Sequence, residues 1–73
     1  MNALPRVSGS ACVAALTWAG FHLKWQQGRH MLMRKDEPSL QVVVPDVEEI
    51  DRAVLETILH RAGLSVDDFR ELL

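Results

Sequence analysis

Phe21-His22-Leu23-Lys24-Trp25-Gln26, Gln27-Gly28 and Arg29-His30-Met31-Leu32-Met33-Arg34 read as a strand, a turn and a second strand. The first segment alternates apolar and polar side chains, the period of a half-buried strand. Glycine marks the turn. Lys35-Asp36-Glu37-Pro38-Ser39 is a polar turn, and Leu40-Gln41-Val42-Val43-Val44 is a third strand rich in β-branched residues, ended by Pro45. Connections this short exclude parallel crossovers, which need a dozen residues or more, so the three strands form an antiparallel meander.

Helices flank the meander. Ser8 or Ser10 caps a first helix in which Cys12/Val13, Leu16 and Ala19 recur at helical spacing, and Gly20 stops it. Trp18 is expected at the helix–sheet junction. Asp51 caps a second helix with Val54, Leu55, Ile58, Leu59 and Ala62 as its apolar stripe, and Gly63 ends it. Ser65-Val66-Asp67-Asp68 resembles a capping box with Asp in the Glu position, starting a last helix with Phe69, Leu72 and Leu73 on its apolar face. The expected class is α+β, order αβββα(α), as a single domain over residues 1–73. One face of the sheet is covered by helices and the other faces solvent.

A 73-residue chain buries only about 60% of its unfolded surface, so it needs an efficient core or a partner that covers apolar area. A single cysteine, Cys12, allows no internal disulfide and suits a reducing compartment. It falls in the apolar pattern of the first helix and reads as a core residue. No run approaches the about 18 apolar residues of a membrane span, and a cytoplasmic protein without membrane contact is expected.

Charge is divided along the chain. Residues 1–35 hold Arg6, Lys24, Arg29, Arg34 and Lys35 and no acid, whereas residues 36–73 hold all ten acids against three arginines. A histidine in the basic half, His30, follows Gly28-Arg29 at the turn, with Lys24 and Arg34 on the same hairpin. That combination suits a phosphate backbone. If the turn has two residues, Gln27-Gly28, then Gln26 pairs with Arg29 and Trp25 with His30. A longer turn changes the register, so the face that His30 uses stays open. His22 reads as a solvated strand residue, and His60 as a cation beside Arg61 complementing a helix C-terminus. Trp25 fits either the core or the stacking of an RNA base. Met31 and Met33 fit either the core or an adaptable surface. No metal site or cofactor is indicated: no Cys/His set has ligand spacing, and Gly28 is not part of a phosphate-binding loop.

Leu4-Pro5-Arg6-Val7-Ser8-Gly9, Ala19-Gly20-Phe21, Gln27-Gly28-Arg29-His30, Val43-Val44-Pro45, Leu55-Glu56-Thr57-Ile58-Leu59 and Arg61-Ala62-Gly63-Leu64-Ser65-Val66 together resemble the HicA (YcfA-like) toxin family of toxin–antitoxin pairs. The resemblance spans nearly the whole chain. It implies a fold like the double-stranded-RNA-binding domain and a metal-independent mRNA interferase centred on the turn histidine, which maps onto His30. It also implies a HicB-type antitoxin that covers that histidine. Lys24, Arg29, Arg34 and Lys35 are then the expected RNA-binding residues, with mRNA and the antitoxin as partners and no DNA contact.

The chain departs from the family at several points. Arg29 stands where the family has serine, Ala53-Val54 where it has Gly-Thr, and Asp46-Val47 where a histidine is frequent. The chain is net −2 where family members are commonly basic. A catalytically degenerate RNA-binding module and a pure protein-interaction module are the alternative readings.

Overall fold

The computed structural model describes residues 3–73 and has the element order expected. It runs α1 (Gly9–Trp18), β1 (His22–Gln27), β2 (His30–Lys35), β3 (Leu40–Pro45), α2 (Arg52–Ala62) and α3 (Val66–Leu72). The strands form one antiparallel sheet in the order β1-β2-β3. Among the described residues no helix is long and apolar enough to cross a membrane.

Local chemistry places the helix ends where the sequence put them. Ser8 Oγ accepts from the Ala11 N–H at 3.1 Å, and Ser10 Oγ lies 3.1 Å from Ser8 Oγ. Asp51 Oδ2 accepts from the Ala53 N–H at 3.2 Å. At α3 the box is reciprocal: Ser65 Oγ accepts from the Asp68 N–H at 3.0 Å, and Asp68 Oδ2 accepts from the Ser65 N–H at 3.4 Å. Ser8, Asp51, Ser65 and Asp68 each satisfy a backbone donor that has no partner within its own helix.

The core lies between the helices and one face of the sheet. Met31 and Met33 of β2 and Val42 and Val44 of β3 point inward as cross-strand neighbours, Met31 opposite Val44 and Met33 opposite Val42. Leu16, Leu55 and Phe69 close over them from the three helices. Both methionines are therefore core residues.

Four expectations fail in packing. Leu73, expected on the apolar face of the last helix, follows its final helical residue and is 53% exposed. Trp18 is 81% exposed. The buried side of α1 is Gly9, Cys12, Ala15 and Leu16, and Trp18 falls off that side at helical spacing. Val54 is 41% exposed, because the buried side of α2 is Leu55, Ile58, Leu59 and Ala62 and Val54 sits at its margin. β1 is exposed along its whole length rather than alternating, and the apolar anchor of that segment is Phe21, buried just before it.

Gly9 ties α1 to the sheet. Its N–H donates to the Val47 carbonyl at 2.8 Å, and a Cβ built on it would land on the Pro45 carbonyl oxygen. Only glycine allows the first turn of α1 to approach the end of β3 this closely. Gly9→Ala should therefore cost about 1–3 kcal/mol through forced displacement of the backbone. Phe69→Ala should cost about 3–5 kcal/mol through a cavity in the core. Urea unfolding measures both, and a Gly9→Ala midpoint equal to the wild type's would show that the approach is not tight.

Candidate nucleic-acid interface

The position of His30 follows from hairpin register. Gln27 pairs with His30, Gln26 with Met31 and Trp25 with Leu32. The turn is thus Gly28-Arg29, one residue later than the expected Gln27-Gly28, and the pairing of Gln26 with Arg29 does not occur. Gly28 has φ 58°, and no other residue type has a positive φ among the described residues. A positive φ at the first central position only is the pattern of a glycine-led hairpin turn, which matches the twist of the strands it joins. With Met31 and Met33 inward, His30, Leu32 and Arg34 point outward. The imidazole of His30 is on the solvent face.

A bulge brings more side chains to that face. Leu23 pairs with Met33, but the next pair is Trp25 with Leu32, which leaves Lys24 as an extra residue. Such a residue interrupts the alternation of the strand. His22 and Trp25 consequently both lie on the solvent face, opposite Arg34 and Leu32. Trp25 is 45% exposed and belongs to neither the core nor the helix side. The face is a lattice of three rows: Gln27–His30–Pro45, Trp25–Leu32–Val43, and His22–Arg34–Gln41. Successive rows are about 7 Å apart, so Trp25 is a diagonal neighbour of His30. His22 is two rows away, about 13 Å along the sheet. The two imidazoles cannot act on one phosphate.

The basic side chains are spread over several surfaces. Arg34 shares the face of His30 but is held at its far end, its Nε 3.1 Å from Asp36 Oδ1 and its Nη1 3.2 Å from Gln41 Oε1. Lys24 stands at the bulge on the open edge of β1. Lys35 has the inward parity of Met31 and Met33, and its ammonium lies 5.8 Å from the centre of the Phe21 ring. Arg29 is exposed in the turn and lines a shallow depression with Ser8, Ser10, Asp46 and Glu48. The Arg29 carbonyl accepts from the Asp46 N–H at 2.7 Å, which fixes the 46–49 loop beside the turn. Folding thus brings part of the acidic half against the basic turn. The charge division of the sequence does not become two opposed faces at this end of the sheet.

Gln27, the direct cross-strand neighbour of His30, was not singled out by sequence. The signal for it was Gly28, because a glycine that leads a two-residue turn makes the residue before it and the second residue after it partners.

Among the described residues no group of three His, Cys, Asp or Glu side chains could hold a metal ion. Comparison of the chain with models of known families, with curated proteins and with solved structures finds no match.

Cys12 is fully buried, and burial pushes its thiol up from 9.0 to about 11 by penalising the thiolate. A nucleophile must be a thiolate in reach of its target, so Cys12 is not one. The folded chain holds the proton more tightly than the unfolded chain. This contribution is complete below pH 9 and falls away as pH rises towards 11. Chemical unfolding of wild type and Cys12→Ala between pH 8 and 11 should show the wild type losing stability more steeply. Parallel curves would contradict the buried thiol.

Proposed function

We propose that the chain is a HicA-type toxin, a metal-independent endoribonuclease acting on mRNA and neutralised by a HicB-type antitoxin. The observation that carries this reading is the placement of His30: first residue of β2, outward, next in sequence to Arg29 and diagonal to the exposed Trp25. A strand of RNA laid on this face meets a stacking platform and a proton acceptor in neighbouring rows.

RNA carries its own nucleophile. The imidazole of His30 takes the proton of a 2′-hydroxyl, the 2′ oxygen attacks the adjacent phosphorus, and the bond to the 5′ oxygen breaks. That oxygen is protonated from solvent, leaving a 2′,3′-cyclic phosphate and a 5′-hydroxyl. Histidine suits the step because its charge changes near neutral pH. Arg29 neutralises charge building on the phosphate, and Lys24 and Arg34, both towards the far end of the hairpin, hold phosphates further along the strand. Lys35, over Phe21 on the other side of the sheet, is outside this track. His22 is too distant to be the second proton-transfer group.

Asp46 and Glu48 beside Arg29 favour a second reading, an RNA-binding module that no longer cuts, because carboxylates at the turn oppose an incoming phosphate. One set of assays separates the two. A cleaving enzyme should give cyclic-phosphate ends on single-stranded RNA, keep its rate in a chelator, and lose about 100-fold or more in His30→Ala. Expression should arrest growth, relieved by co-expression of the antitoxin. RNA binding that weakens steeply with salt, without cleavage in either protein, would give the second reading. Equal cleavage by wild type and His30→Ala would remove His30 from the chemistry.

A further inference from the structure

β1 and β3 are the two edges of the sheet, and they differ. β1 is interrupted by the bulge at Lys24 and presents that lysine there, two devices that keep a foreign strand from pairing. β3 has neither. It pairs with β2 without interruption from Leu40 to Pro45, carries no charge, and has proline only at its last position. Along Gln41, Val42 and Val43 the backbone groups that point away from β2 have no hydrogen-bond partner among the described residues.

Beside this edge lies an open groove of about 480 Å³, walled by Leu32, Val42 and Val43 from the sheet and by Val54, Thr57 and Arg61 from α2. Val43 and Val54 are 45% and 41% exposed. Among the described residues Arg61 is the only charged one lining the groove, and it makes no ion pair with another of them.

We infer that the β3 edge accepts an extended segment of a partner protein as a fourth strand, with apolar side chains against Val43 and Val54 and a carboxylate at Arg61. Strand addition satisfies the open backbone row, and pockets for alternate side chains give it selectivity. The charge identifies the occupant. If two copies of this chain paired edge to edge, the incoming strand would be β3 itself, which has no acid, and each Arg61 would be covered without a counter-ion at a desolvation cost. RNA brings anions but no amide row to pair with the edge. His30 is not part of the groove, so this inference stands independently of the ribonuclease reading.

The test uses the full chain, isotopically labelled, titrated with a short extended peptide of valine and threonine that carries one glutamate. Companion peptides replace glutamate with lysine or carry N-methyl groups on alternate backbone nitrogens. The expected result is amide shift changes confined to β3 and α2, at least tenfold weaker binding of the lysine peptide, and no binding of the methylated one. Arg61→Gln, at an exposed helix position, should abolish the preference for glutamate while leaving the spectrum otherwise unchanged. The proposal is overturned by no shift change at millimolar peptide, by equal affinity for the two charges, or by changes centred on β1. Self-association that protects the β3 amides would assign the edge to a second copy, and RNA that shifts the α2 amides around Arg61 would assign it to nucleic acid.

Discussion

The register between β1 and β2 is the constraint on which the arrangement of this molecule rests. A strand has a period of two, so a slip of one residue sends every side chain to the opposite face. The Gly28-Arg29 turn sets that register by making Gln27 and His30 partners, and the extra residue at Lys24 resets it once. Between them they put Met31 and Met33 into the core and leave His22, Trp25, His30 and Arg34 on one open surface. Pairing shifted by one residue would bury an imidazole and an arginine under the helices and expose the methionines. The core could not tolerate that arrangement, because buried polar groups need partners there. The apolar core and the polar surface are consequences of the same turn.

The core itself is small and closed from every side by a different element. The helices contribute Leu16, Leu55 and Phe69, and the segment before β1 contributes Phe21. No polar side chain is buried among the described residues, so none of them brings a desolvation penalty to the core. Long-range ties outside the sheet include the Gly9 contact with the end of β3, the Asp46 N–H to the Arg29 carbonyl, the Ile50 N–H to the Val7 carbonyl at 2.8 Å, and the Arg70 guanidinium on the Ala3 carbonyl.

Much of this was legible in the residues themselves. Serine and aspartate caps, β-branched runs and short connections encode element order through local sterics and hydrogen bonding, and those forces are visible in sequence. The Trp residues were not legible in the same way. Their size suggests burial, but whether Trp18 or Trp25 finds a core depends on helix phase and on a bulge, and no residue near Lys24 announces one. Val54 belongs to an apolar stripe wider than the surface available to bury it. The face used by His30 needed the turn offset by one residue. The adjacency of Asp46 and Glu48 to Arg29 is a tertiary contact that charge counting along the chain cannot contain. The family-level reading of function rests on resemblance together with the outward placement of His30.

Phe69 follows every other core residue in the chain and is fully buried. During synthesis the sheet, α1 and α2 all emerge before the side chain that plugs the space between them. A nascent chain carrying those elements therefore has an open hole at its centre and exposed apolar surface until residue 69 is free to fold back. The domain must acquire its cooperative stability in a single late event, and a chain broken off before α3 would be a target for chaperones and proteases rather than a smaller working protein.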